Sequence, residues 1–212
     1  MAAFLVVLDV DSTLIEQEAI ELLADEAGSG AQVAAVTARA MAGELDFAAS
    51  LAERVATLAG LEVGVIDRVI PCMTLTPGAR DLVAGVHGGG GRVAVVSGGF
   101  HELLDPIALD LMLDAHRANR LAVKGGRFTG ATTGPVIDAI AKADALREWA
   151  ERFEVPLHRT VAVGDGANDL VMMAAAGLSI AFDAKPMVRA AAHVTLPARD
   201  LSAVLAVLGL RG

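Results

Sequence analysis

The sequence predicts an α/β fold: a parallel sheet with helices on both faces, and a small helical cap inserted after the first strand. Three observations predict it. Short, continuous apolar runs at Phe4–Leu8, Arg92–Ser97 and Thr160–Gly164 have the form of strands buried on both faces. Helical patterns separate most of them, and strands alternating with helices give a parallel sheet covered on both sides. The stretch Glu16–Ile70 breaks the rhythm, with helical patterns and no strand-like run. The architecture is Rossmann-like, with residues 1–13 and 75–212 as the α/β core and 14–74 as the cap.

Each element follows in chain order. Phe4–Leu8 is apolar throughout and stops at Asp9. Within the cap, Glu16–Ala27, Gln32–Ala42 and Phe47–Leu58 carry helical periodicity, and Pro71 and Pro77 punctuate the return to the sheet. A helix over Asp81–Val86 precedes the strand Arg92–Ser97. The Gly88–Gly91 run between them lies before a strand, the wrong side for a phosphate cradle, and reads as a connector. A helix over Glu102–Leu113 leads to Arg120–Thr129, a hairpin turning at Gly125 and Gly126. The helix Ile137–Phe153, the strand Thr160–Gly164 and the helix Asp169–Ala176 come next. Shorter strands at Leu178–Phe182 and His193–Leu196 precede a last helix, Asp200–Leu208.

Composition bounds the function. With 54% hydrophobic and 20% charged residues the chain has ample material for a core and none of the character of disorder. A formal charge of −9 argues against a nucleic-acid backbone as partner, because basic patches supply that affinity. Aromatics at 3%, with no tyrosine, leave few stacking platforms for single strands. The single cysteine, Cys72, cannot form an internal disulfide, and the first apolar run is too short for a leader or a span, so a cytoplasmic location away from membranes is expected. Ser12–Thr74 holds ten acidic residues against Arg39, Arg54 and Arg68, so most of the negative charge sits in the cap.

Ligands of open α/β sheets bind outside the carboxyl ends of the strands, and three strand ends here carry polar groups. After the first come Asp9 and Asp11, which an extended segment would put on one side. Two carboxylates that close repel unless a cation or a shared proton intervenes; alone, the pair is as compatible with a strand stopped by solvated acids. Asp165, Asn168 and Asp169 follow another buried strand. Carboxylates gathered from both ends call for a hard divalent cation, Mg²⁺ foremost, although Asp169 is better placed as a helix N-cap than as a ligand. Ser97, Gly98 and Gly99 end the strand between, where glycines let backbone N–H groups approach an anion; alone they are also ordinary turn chemistry. Lys142 shares its helical face with Ala139, Leu146 and Trp149, where lysines more often snorkel than catalyse. Arg54 falls among Phe47, Leu51, Val55 and Leu58 on the inner face of its helix and needs an anion, either a ligand's or an internal carboxylate. Periodicity alone does not select Glu18.

Taken in order, Asp9 to Thr13, Ser97 to Gly99, Lys142 and Gly164 to Asp169 resemble the haloacid dehalogenase superfamily of phosphotransferases. More narrowly, Ala40–Gly43, Ser50–Val55, Val95–Phe100, Ala118–Leu121 and Ala162–Asp169 look like its phosphoserine phosphatase family, and the match runs from about Phe4 to Leu208. The resemblance implies hydrolysis of O-phospho-L-serine to L-serine and phosphate, the last step of serine biosynthesis, through an aspartyl-phosphate. It implies Asp9 as nucleophile, Asp11 as proton donor and acceptor, and Mg²⁺ held by Asp9, the Asp11 carbonyl and Asp165. Ser97, Gly98 and Lys142 would bind the phosphoryl group and Asn168 substrate or phosphate. In the cap, Glu18 and Arg54 would recognise the serine part, with Met41 and Phe47 closing over it. Val10 stands where such enzymes often carry an aromatic, and the resemblance carries no claim of serine feedback through an N-terminal regulatory domain.

Two rivals remain at this level. A phosphatase or phosphotransferase of the same superfamily with another small phosphomonoester would share every core motif. A receiver-like signalling module also gathers acids around Mg²⁺, but the second Asp, the cap-sized insert and the length oppose it.

Overall fold

Seven strands form one sheet in the order β4-β3-β2-β1-β5-β6-β7, parallel except for the antiparallel β3–β4 pair. The computed structural model describes residues 2–41 and 44–210, the Met41 side chain excepted. β1 (Leu5–Leu8) lies at the centre, and α1 (Ala19–Glu26), α2 (Gly30–Met41), α3 (Phe47–Ala56) and the four-residue α4 (Ile66–Val69) follow it. α5 (Ala79–Gly88), β2 (Arg92–Phe100), α6 (His101–Asp110), β3 (Ala115–Lys124) and β4 (Arg127–Thr133) build outward on one side. α7 (Ala139–Arg152), β5 (Thr160–Gly164), α8 (Leu170–Ala175), β6 (Leu178–Phe182), α9 (Pro186–Ala191), β7 (Val194–Leu196) and α10 (Ala203–Val207) build outward on the other.

The alternation of β1 explains why its sequence has no polar face. Leu5 and Val7 pack with Leu146 and Trp149 of α7 and Met172 of α8. Val6 and Leu8 point the opposite way, to Leu82 and Val86 of α5, Leu104 of α6 and Val204 of α10. All four β1 residues are fully buried, which only an apolar run can satisfy. The chain goes outward from β1 through β2, then returns to its other side with β5, so β1 and β5 flank the point where the strand order reverses. A crevice forms there at the carboxyl ends.

The predicted elements recur with shifted ends. β2 continues through the glycines to Phe100 instead of stopping at Ser97, and the hairpin arms are longer than Arg120–Thr129. The first cap helix begins only at Ala19, because Ile15 is extended and bridges Leu75, Glu16 N–H donates to the Thr74 carbonyl, and the chain bends at residues 16 and 17. The cap therefore enters and leaves the core through two paired segments. Arg199 braces the entering segment, donating to the carbonyls of Ser12 and Glu16 while meeting Asp183. α4 and α9 have no counterpart in the sequence reading. Among the described residues no helix is long and apolar enough to cross a membrane.

Ile20 and Leu23 of α1, Val33 of α2 and Leu51 and Val55 of α3 share one apolar cluster. Phe100, Leu103, Leu121 and Phe128, from β2, α6 and the hairpin, join it, so the cap helices are not self-sufficient. Gly130 is where β4 meets the end of α3. Its φ is +83°, and a Cβ there would stand 2.9 Å from the Ala59 Cβ and 3.2 Å from the Ala56 carbonyl oxygen. Gly130→Ala is expected to lower stability by about 1–3 kcal/mol, from left-handed strain and a contact with backbone. Urea unfolding measures it, and a loss under about 0.5 kcal/mol, the range of neutral surface changes, would show that this contact is slack.

Candidate active site

The chain leaves β1 at Asp9 and makes one wide turn, Val10–Leu14, closed by the Ile15 N–H on the Val10 carbonyl. Ser12 sits in this turn at φ 56°. The segment is thus not extended, and strict alternation is not what brings Asp9 and Asp11 together. Asp9, 4% exposed, has Oδ1 engaged by the Val10 N–H at 2.7 Å and by Lys142 Nζ at 2.7 Å. Asp11 accepts from the Ala19 N–H at 2.7 Å through Oδ1 and from Ser97 Oγ at 3.0 Å through Oδ2. The turn thereby ties the first strand, the first cap helix and β2 to one carboxyl.

Lys142 does not snorkel. Asp138 caps α7 by accepting from the Ala141 N–H, and one step on Lys142 turns inward with Ala143, Leu146 and Trp149. It is fully buried and lies 2.7 Å from both Asp9 and Asp169. Asp169 stands at the N-cap position of α8, as expected, but its side chain makes no capping bond to that helix. It is fully buried, gives Oδ1 to Lys142, and turns Oδ2 back to the Gly166 N–H. Asp165, partly buried, accepts from Thr13 Oγ1 at 3.2 Å.

Burial drives the electrostatics. It raises the Asp9 pKa well above the ordinary carboxylate range, and the Asp169 charge adds to it against the pull of Lys142. Burial also raises Asp165, again with Asp169 adding. Asp11 is pushed up to about 6, by burial first and then by Glu18. Burial opposes the charge on Lys142, but Asp169 and Asp9 outweigh it and raise its pKa.

The donor set fits a hard divalent cation. Oxygens of Asp9, Asp165 and Asp169 lie within 4.8 Å of one another. Lys142 pairs with Asp9 and Asp169, and Lys185 acts on Asp165 from further off, so three carboxylates face two ammonium groups and negative charge is left over. Both Asp169 oxygens are occupied, which leaves Asp9 and Asp165 as the available side-chain ligands. A second group, His101, Asp105 and His116, also brings nitrogen and oxygen ligands together. It is a hydrogen-bonded brace instead. The Ala118 N–H donates to His101 Nε2, so the ring proton sits on Nδ1, facing Asp105 Oδ1 at 2.7 Å, where a metal would need a lone pair.

Above these groups opens a cavity of about 880 Å³, reaching from Asp9, Asp11 and Asp165 to the cap. Glu18, Phe47, Arg54, Gly98 and Asn168 line it as well. Ser97 and Lys142 lie just beneath, touching Asp11 and Asp9. Glu18 immediately precedes α1 and accepts from Ser12 Oγ at 2.8 Å. Phe47 leans on Gly98, where a Cβ would stand 2.8 Å from the ring Cζ. Met41 ends α2, and its side chain lies outside the described residues. Arg54 decides between the two roles left open for it. Arg39 pairs with Glu53 and Glu44, and Arg68 with Glu26. Arg54 forms no ion pair with a described residue; its Nε donates to the Ser50 carbonyl at 3.3 Å. Burial lowers its pKa, with Glu18, Asp11 and Glu21 opposing from a distance. Read residue by residue, the sequence singles out neither Lys185 and Met187, which line the mouth after β6, nor Asn119 behind Gly98, although Asn119 lies within Ala118–Leu121, one of the segments that carry the family resemblance. None belongs to a strand-end acid cluster or an amphipathic face.

The sequence family described as haloacid dehalogenase-like hydrolase matches residues 6–174. The chain belongs to that family. It is 52% identical to the phosphoserine phosphatase SerB2 of Mycobacterium tuberculosis over 97% of its own length and 50% of that relative. It is 49% identical to the phosphoserine phosphatase of Lactococcus lactis, over 95% of this chain and 93% of that one. The chain thus spans about half of the mycobacterial relative and nearly all of the lactococcal one. A solved structure described as a phospho-aspartyl intermediate analogue of phosphoserine phosphatase superposes with a TM-score of 0.92 at 40% identity, covering 98% of this chain and 99% of that one.

Asp11 gives a stability test. A carboxyl whose folded pKa is raised binds more protons folded than unfolded, so its contribution to stability is lost as pH rises from its ordinary value of 3.8 through about 6. In the metal-free protein, Asp11→Asn is expected to gain melting temperature relative to wild type as pH rises across that window. A difference that stays constant from pH 4 to pH 7 would show that burial does not strain this carboxylate.

Proposed function

We propose that this protein is a Mg²⁺-dependent phosphoserine phosphatase, hydrolysing O-phospho-L-serine to L-serine and inorganic phosphate at the last step of serine biosynthesis. The observation that carries the reading beyond the family is Arg54, the cap arginine with no carboxylate partner, sharing one cavity with Glu18, Asp9 and Asp11. Phosphoserine offers a phosphate, a carboxylate and an ammonium. The strand ends account for the phosphate; a planar guanidinium suits the carboxylate and Glu18 the ammonium. In this reading residues 14–74 act as a cap over the core, with Phe47 and Met41 closing over the substrate.

Asp9 is the nucleophile. Its Oδ1 is held by the Val10 N–H and Lys142, leaving Oδ2 to attack phosphorus and form an aspartyl-phosphate as the bond to the serine oxygen breaks. Asp11 gives its proton to that oxygen, then takes one from the water that attacks the aspartyl-phosphate and releases phosphate. A carboxyl near 6 holds and releases a proton near neutrality, as both halves require. Lys142 has three N–H donors, of which Asp9 and Asp169 occupy two, so one remains for a phosphoryl oxygen. Ser97 would turn its hydroxyl from Asp11 to the phosphoryl group, alongside the Gly98 N–H, and Asn168 would bind from the opposite wall. Asp9, the Asp11 carbonyl and Asp165 would hold Mg²⁺, which would supply positive charge to the phosphoryl oxygens.

Two experiments test this. Wild type is expected to release phosphate from phosphoserine far faster than from phosphoethanolamine, which lacks the carboxylate. Arg54→Ala should lose about 2–5 kcal/mol of transition-state binding on phosphoserine and far less on phosphoethanolamine. Equal losses on both would mean that Arg54 holds the cap or binds phosphate. Asp165→Ala should raise the Mg²⁺ concentration for half-maximal activity about tenfold or more, and Ca²⁺ should inhibit, because it favours more ligands and looser geometry. Full activity in excess chelator would remove the metal from the reaction.

A further inference from the structure

We propose that Asn119 is a positioning residue for phosphoryl binding, its one amide holding the Ser97-Gly98-Gly99 segment and the entry to α7 in register. The inference rests on the phosphatase reading above and deepens it.

The sheet is irregular where the phosphate would sit. Val96 pairs with Arg117 and Phe100 with Asn119, so four residues of advance along β2 match only two along β3. Ser97, Gly98 and Gly99 therefore bulge out of the β2–β3 ladder, and their peptide groups need other partners. Asn119, 1% exposed, supplies one: its Nδ2 donates to the Gly98 carbonyl at 2.8 Å. At the other end of the same peptide unit the Gly99 N–H donates to Ser97 Oγ at 2.7 Å, and Ser97 Oγ donates to Asp11 Oδ2 at 3.0 Å. The Gly98–Gly99 peptide is thus clamped at both ends.

The same side chain reaches a second element. Asn119 Oδ1 accepts from the Ile137 N–H at 2.9 Å. Ile137 precedes Asp138, which caps α7 and accepts the Lys142 N–H on its carbonyl. Gly98 and Lys142 come from chain segments more than forty residues apart, and one amide sets the backbone of the first against the start of the helix that bears the second. No charge, hydroxyl or ring does this job: the site requires one donor and one acceptor on a short planar group, which asparagine alone combines at this length. Neighbouring bonds brace the same strand, with the Ala118 N–H on His101 Nε2 and the Leu121 N–H on Glu102 Oε2. Those reach only α6, so they hold β3 without touching the phosphate elements.

Two variants separate this role from mere packing. Asn119→Asp keeps an acceptor for the Ile137 N–H but turns a second acceptor to the Gly98 carbonyl; Asn119→Ala removes both bonds and adds no charge. Calorimetric binding of inorganic phosphate and of L-serine, each with Mg²⁺, is measured beside kcat on phosphoserine, on variants shown by thermal unfolding to be folded. Both variants are expected to bind phosphate about tenfold or more weakly and to lose kcat by a similar factor. Serine, read by the cap, should bind within about twofold of wild type, the scatter expected of an untouched subsite. Phosphate binding unchanged within that scatter, or phosphate and serine weakened alike, would overturn the assignment. A wild type that binds phosphate but leaves phosphoserine intact would instead fault the substrate reading, and phosphate binding would still decide on Asn119.

Discussion

The site depends on one buried ammonium. Lys142, with no exposed surface, stands 2.7 Å from Asp9 and 2.7 Å from Asp169. Removing such a charge from water costs several kcal/mol, and only close opposite charges with good geometry offset it. That requirement reaches through the core. β1 and β5 must be neighbours so that their ends present Asp9 and the turn bearing Asp169. α7 must lie on the face that delivers Lys142 between them. The turn after β5 must fold back so that the Gly166 N–H takes the other Asp169 oxygen. The apolar clusters on either face of the sheet hold these pieces, but the charge triad fixes which side chain faces which.

Much of this was legible in the sequence. β1 and β5 are buried on both faces and can only be apolar throughout, so their runs are visible without a partner. The strand-end acids are visible because polar groups interrupt those runs. Asp169 misleads for a local reason: an aspartate before a helix looks the same whether it caps that helix or salt-bridges a lysine 27 residues away. Lys142 misleads likewise, since helical spacing locates it on the buried face but not the carboxylates waiting there. Asp9 and Asp11 were expected on one side by alternation, whereas a wide turn with Ser12 at φ 56° sets their directions. Lys185 lies still further from sequence reasoning, and Asn119 enters it only within the family-like segment Ala118–Leu121, because its contacts are pairings across the fold. α4 and α9, at four and six residues, are too short to display a helical period.

Arg54 shows how structure narrows a pattern that sequence leaves open. An arginine on an inner helix face needs an anion, and the cap offers acids in excess. Arg39 and Arg68 find theirs on the surface, at side-chain exposures of 46% and 59%, where such pairs contribute little to stability. Arg54 is partly buried, where a pair would be worth more, and it has none. In the proposed reading, a cationic group held without an ion-pair partner among the described residues, in a cap this acidic, would receive its counter-charge from the ligand.

The same logic applies to the floor of the cavity with the sign reversed. Asp9, Asp11 and Asp165 all have carboxyl groups raised by burial, so the unliganded site already resists its own negative charge. A phosphomonoester dianion adds more, and at an effective dielectric near 20 each like-charge pair 4 Å apart costs about 4 kcal/mol. Lys142 cannot cancel this alone, because Asp9 and Asp169 already share it. In the proposed reading the floor has to gain positive charge before it can hold a phosphate, whereas Arg54 in the roof has no ion-pair partner among the described residues and feels Glu18 and Glu21 only from a distance. In that reading a divalent cation held by Asp9 and Asp165 would meet the first need and a substrate carboxylate at Arg54 the second. A molecule carrying phosphate at one end and carboxylate at the other would then match the cavity from floor to roof, and a phosphate ester without the carboxylate would leave Arg54 without that counter-charge.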